Sequence, residues 1–141
     1  MRLNNSESAS EFLLRATRTL KESKLAFDEG DLLYTAIRLY ETVENLSKVI
    51  MSLYGVYTRS DKGNALALNY VKRSRQLDQK TSSLIEKLQE IEAKLYPSTM
   101  IDEASLKTPS VIIRHKEAEI LLNQITNLFD EVSVIFDEFH N

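Results

Sequence analysis

Apolar residues recur three and four apart along most of this chain, and almost nowhere do they alternate every second position, so the pattern predicts helices and no strands. Leu13, Ala16, Leu20 and Phe27 mark the inward stripe of a first helix. It is expected to start at Ser8 or Ser10, either of which can cap free N–H groups, and to run to Glu29, where Gly30 supplies a left-handed stop. Asp31 then caps a second helix whose positions Ala36, Leu39, Val43, Leu46, Ile50 and Leu53 keep the spacing unbroken until Gly55. So short a connection between two helices of about 23 residues forces them antiparallel, as a helical hairpin.

After a loop over residues 55–64, Leu66, Ala67, Tyr70 and Val71 give a third helix over about 64–76 with a stripe of only two turns. A break near DQKT, residues 78–81, leads to a fourth helix, in which Ser83 and Glu86 have capping-box spacing and Leu84, Leu88, Ile91 and Leu95 form the buried line. The pattern leaves open whether these two are separate or one bent rod. Pro97 closes the fourth helix, and residues 98–108 form a second loop with a short turn at IDEASL. Thr108 and Pro109 start the last helix, with Ile112 and Ile113 facing inward near its start and Ala118, Leu121, Ile125, Leu128, Val132, Ile135 and Phe139 as its main stripe. A second line, Leu122, Phe129 and Phe136, widens that face, so either bundle neighbours on both sides or a partner molecule must cover it. The fold expected is all-α, an up-and-down antiparallel bundle of four to five helices. It forms a single domain over residues 1–141, with residues 1–8 flexible.

The 141 residues suffice for one core without staples, and only three glycines and two prolines interrupt them. With no cysteine, disulfides, thiolate zinc sites and cysteine nucleophiles are excluded. The polar start MRLNNSESASE lacks the apolar core of a secretory signal, and no window approaches a membrane span, so a soluble, cytoplasmic protein is expected. A net charge of −3 gives no global attraction for nucleic acid. Locally, residues 61–80 carry Lys62, Lys72, Arg73, Arg75 and Lys80 against Asp61 and Asp78, while residues 109–141 carry six acids against Arg114 and Lys116.

Candidate chemistry is sparse. There are two histidines; His140 is next to last, and His115 sits beside Arg114. Arg114 and His115 fall in the expected opening turns of the last helix, where consecutive side chains diverge by about 100°. Neither histidine has another three or four residues away, and there is no glycine-rich phosphate loop, so no metal and no cofactor are expected. The residues best suited to an anion or a nucleotide are Arg73, Arg75, Lys94, Tyr96, Arg114 and His115, with Tyr96 able to stack on a base beside Lys94. The segment AFDEGDLLYTAIRLYETVENL reads like one tetratricopeptide helix pair, but a single copy is no array.

RLYETVENLSKVIMSLYGV resembles the second helix of HEPN domains, with its small and acidic positions before a leucine-rich turn and a glycine. KLYPSTMIDEASLKTPSVIIRHKEAEILLNQITNLFDEV resembles the closing part of that fold, in which an aromatic-proline pair, a variable loop and a long final helix follow one another. The resemblance spans about residues 10–138. It implies a homodimeric bundle with a groove for nucleotide or RNA, often paired with a small nucleotidyltransferase as a toxin and antitoxin. The active ribonucleases of that family have an arginine followed four to six residues later by histidine, and this chain has none at that spacing before His115 or His140. No catalytic residue carries over. Three readings follow: a non-catalytic homodimeric module that binds a partner or a nucleotide, dimerising through Leu121, Leu122, Ile125, Leu128, Phe129, Val132 and Phe136; an RNA- or nucleotide-acting enzyme whose Arg73, Arg75, Arg114 and His115 meet across helices or subunits; and an adaptor that holds a peptide helix between the first hairpin and its neighbours.

Overall fold

The computed structural model describes residues 5–58, 63–96 and 114–140. They form five helices and no strand: α1 (Asn5–Asp28), α2 (Leu32–Leu53), α3 (Asn64–Ser74), α4 (Gln79–Leu95) and α5 (His115–His140). The expected all-α bundle of four to five helices is what the chain adopts. The helices α1, α2, α4 and α5 run up, down, up and down around one core, and α3 lies outside against α2 and α4, parallel to α2.

The hairpin forms for the reasons its turn residues suggest. Gly30 has φ +79°, and the N–H groups of Gly30 and Asp31 reach back to the carbonyls of Phe27 and Ala26 at 3.0 and 2.9 Å, so the last carbonyls of α1 are satisfied. Asp31 accepts from the Tyr34 N–H at 3.0 Å and caps α2. Gly55, at φ +73°, closes α2 in the same way, through Val56 N–H to Met51 at 2.9 Å. Between the two helices, small residues at seven-residue spacing (Ala9, Ala16 and Ser23) allow close approach, and the hydroxyls of Thr42 and Thr19 meet at 2.8 Å in the buried seam. The expected start of α1 at Ser8 or Ser10 is corrected. The helix already includes Asn5, whose side chain accepts from the Tyr57 hydroxyl at 2.5 Å.

All six expected positions of α2 are buried, and fourteen of its 22 residues are buried in total, because α2 touches every other helix. On α3 the expected stripe is half wrong. Asn64, Ala67, Leu68 and Val71 face inward, while Leu66 is 72% exposed and Tyr70 is exposed beside it. Those two share a face at i and i+4, and the short helix has only one side to offer α2 and α4. α3 and α4 are separate helices. Arg75 is extended (φ −123°, ψ 149°), and Asp78, not Ser83, caps α4 by accepting from the Thr81 N–H at 2.8 Å. Ser83 lies inside the helix and meets Gln79 Nε2 at 3.2 Å.

On α5, Ala118, Leu121, Ile125, Leu128, Val132 and Ile135 are buried, and Leu122, Phe129 and Phe136 pack half-buried against the same core. Phe139, expected inside, is largely exposed and meets Tyr54 edge-on at 5.2 Å. The start of the last helix at Thr108 and Pro109, the inward Ile112 and Ile113, the stop at Pro97 and the turn at IDEASL lie outside the described residues. No helix among those described is long and apolar enough to cross a membrane.

Candidate functional site

The six residues suited to an anion do not converge. Arg75 donates to the Tyr54 carbonyl at 3.1 Å and to Ser74 Oγ at 3.0 Å, which fixes it where α2 ends. Arg73, two residues earlier, is exposed at the same end. His115 stacks on Phe27 with ring centroids 4.7 Å apart, at the opposite end of the bundle where α1 ends. The 22 residues of α2 separate those ends by about 33 Å at 1.5 Å per residue. Acid-base work needs hydrogen-bond reach or one bridging water, so these groups form no common site within one chain.

Arg114 is corrected too. It precedes the helix, and its carbonyl accepts from the Ala118 N–H at 2.9 Å, so it stands at the cap position of α5 and not on its opening turn. Lys94 is exposed near the end of α4; Tyr96, half-buried at that end, lies 6.0 Å from Tyr40. Of the face offered for dimerisation, Leu121, Ile125, Leu128 and Val132 belong to the core, and Leu122, Phe129 and Phe136 are half-covered by their own bundle. Neighbouring helices, rather than a partner, cover most of that width. His140 is exposed and folds back along its own helix, its ring 4.2 Å from that of Phe136.

The charge contrast between the basic middle and the acidic last helix resolves partly into pairing across helices. Lys80 meets Glu138 at 2.9 Å and Lys87 meets Glu131 at 3.4 Å, both exposed. A cleft of about 610 Å³ lies between α4 and α5, but Glu90, Asp130 and Glu131 line it against Lys87 alone, which repels a phosphate. Among the described residues, no group of three or more histidine, aspartate and glutamate side chains is placed to hold a metal ion.

A second surface feature is on the hairpin and was not singled out by the sequence pattern. A groove of about 460 Å³ runs between α1 and α2, bordered by Arg15, Arg18 and Glu22 on one side and Arg38, Glu41 and Lys48 on the other. Arg38 is its fixed point. Its Nε contacts Glu22 at 2.9 Å, and its Nη1 reaches both oxygens of Glu41 at 2.9 and 3.0 Å, while its guanidinium lies 5.9 Å from the Tyr34 ring. Such a fork between two carboxylates holds an arginine rigidly. At the lower end, Phe12 lies between two cations, Arg15 at 5.4 Å and Lys48 at 5.6 Å. A second recess of about 280 Å³ adjoins the upper end, shares Glu22 and Arg38, and extends to Leu25, Glu29, Asp31 and Tyr34. The clue was in the sequence all along: charged residues on α1 (15, 18, 22) and α2 (38, 41, 48) repeat at helical spacing on the faces opposite the apolar stripes.

Titration is perturbed at the lower end of the bundle, away from this groove. Burial raises the Tyr54 phenol above its ordinary 10.0, opposed by a hydrogen bond with the Thr81 side chain. Hydrogen bonds from the Thr81 side chain and N–H hold Asp78 below its ordinary 3.8. Tyr54, Thr81 and Asp78 thus tie the end of α2 to the start of α4, a structural joint.

Comparison of the chain with family models, with curated proteins and with solved structures finds no match of any kind.

Proposed function

We propose that this chain is a non-catalytic, HEPN-like helical-bundle module that acts as a cytoplasmic homodimer and binds a protein partner, a small nucleotidyltransferase in a toxin-antitoxin-like pair being the partner that the resemblance implies. The observation that carries the non-catalytic reading is the separation of His115 from Arg73 and Arg75 by the length of α2. Support for a protein rather than a polyanion as partner comes from the hairpin groove, where carboxylates alternate with cations. The purified chain is expected to leave a labelled single-stranded RNA intact and to sediment as a dimer at micromolar concentration. RNA cleavage that His115→Ala abolishes would overturn the non-catalytic reading, and a stable monomer would overturn the homodimer.

One observation favours a nucleotide or RNA as a second ligand. At the C-terminal end of α3, exposed Tyr70 lies 6.0 Å from the Arg75 guanidinium, with Arg73 and Lys72 beside them. An aromatic ring with a nearby cation is the pairing that stacks a base. The enzyme reading and the peptide-helix adaptor have less support: the first lacks convergent groups, and the clefts described lie on the outside of the hairpin and between α4 and α5, not between the hairpin and its neighbours.

A further inference from the structure

We infer that α3 is a latch: it lifts off α2 and α4 as one unit, N-terminal end first, while the four-helix core stays folded. This goes beyond the ligand readings above and depends on neither of them.

The seam under α3 changes character along its length. Towards the C-terminal end of α3, Ala67, Leu68 and Val71 are buried, and there the contact is apolar. At the N-terminal end it is polar and poorly paired. Asn64 is fully buried, yet its Nδ2 reaches the Glu44 carbonyl only at 3.5 Å, the outer limit for such a bond, and its Oδ1 has no hydrogen-bond partner. Ser47, one turn beyond Glu44 on the same face of α2, is fully buried as well, and its Oγ has no partner either. Docking of α3 therefore strips water from an amide and a hydroxyl and returns little, and undocking gives that hydration back. In the hairpin seam, by contrast, the buried hydroxyls of Thr19 and Thr42 are paired with each other at 2.8 Å.

The polar ties that hold α3 down are all on the outside. Gln89 of α4 donates to the Ala65 carbonyl at 3.1 Å and to Asn69 Oδ1 at 2.8 Å, Arg75 donates to the Tyr54 carbonyl at 3.1 Å, and Lys72 lies 3.9 Å from Glu86. Water replaces such exposed bonds at small cost, which suits a contact that opens and closes. The extended backbone at Arg75 (φ −123°, ψ 149°) separates α3 from α4, so the shorter helix can swing without bending the longer one. Once α3 is lifted, Ser47 and Met51, which stands one turn further along the same face of α2, meet solvent.

The chain has no cysteine, so a thiol placed in the seam reports the opening of that seam alone. Ser47→Cys puts one under α3. Val49→Cys, two residues on and so on the opposite side of α2, puts one at another fully buried position. Without denaturant, an aromatic disulfide reagent is expected to label the thiol at position 47 at least about 100-fold faster than the thiol at position 49, since the first needs only α3 to lift and the second needs the core to open. Adding Gln89→Ala, which removes the exposed clamp, is expected to speed labelling at position 47 by about 3- to 10-fold and to leave position 49 unchanged. Adding Asn64→Leu, which keeps the shape and removes the unpaired amide, is expected to slow labelling at position 47. Amide exchange checks the unaltered chain: Leu68 and Val71 are expected to exchange through one shared opening, separate from the global unfolding that exposes Leu46 and Ile50. Equal labelling at positions 47 and 49, or exchange of Leu68 and Val71 only through global unfolding, overturns the latch. Fast labelling at position 47 that neither Gln89→Ala nor Asn64→Leu alters also overturns it, because the opening then lies elsewhere than at α3.

Discussion

Asp78 shows how much one exposed side chain decides. Its carboxylate caps α4 and, through Thr81, connects to Tyr54 at the end of α2. Because the folded chain holds that carboxyl below 3.8, the stability it contributes is fully present above the unfolded value and is lost as pH falls through the lower, folded value. Asp78→Ala is therefore expected to lower the midpoint of thermal unfolding at pH 7, and the gap to the parent is expected to narrow as pH falls below 3.8, which a set of melts across pH would read. Asp31 was recognisable as a cap because it follows a glycine stop directly, whereas Asp78 was hidden by Ser83 and Glu86, whose spacing suits a capping box equally well. What separates them is the backbone: Asp78 is extended, with ψ 167°, and Ser83 is already helical.

α3 sets the limit at the scale of elements. Over eleven residues an apolar stripe has too few repeats to fix its phase, and Leu66 and Leu68 compete for the inward side. Leu68 wins: it is fully buried against α2 and α4, while Leu66 lies in solvent. Leu68→Ala is expected to cost about 2–5 kcal/mol in urea unfolding and Leu66→Ala less than about 0.5 kcal/mol. Equal losses would mean that α3 is rotated. On α2 and α5 no such contest arises, since six or more turns of consistent spacing leave a single face that can be inside.

For the whole molecule, the arrangement around α2 orders the local stabilities. α2 packs on all four other helices, whereas α3 packs mainly on α2 and α4 among the described residues and is short. Amide exchange is expected to be slowest around Val43, Leu46 and Ile50, near the global unfolding limit, and markedly faster on the exposed side of α3; uniform protection of the two helices would contradict this. The sequence by itself determined the helices, the hairpin and most inward positions of the long elements, because those depend on spacing along one chain and on glycine and aspartate at two turns. Only the tertiary structure decided which charged residues share a surface. Arg38 is sixteen residues from Glu22 along the chain and 2.9 Å from it in space, and His115, beside Arg114 in sequence, ends against Phe27 at the far end from Arg75. Helical periodicity says which way a side chain points from its own axis, and it holds no information on which other axis lies there.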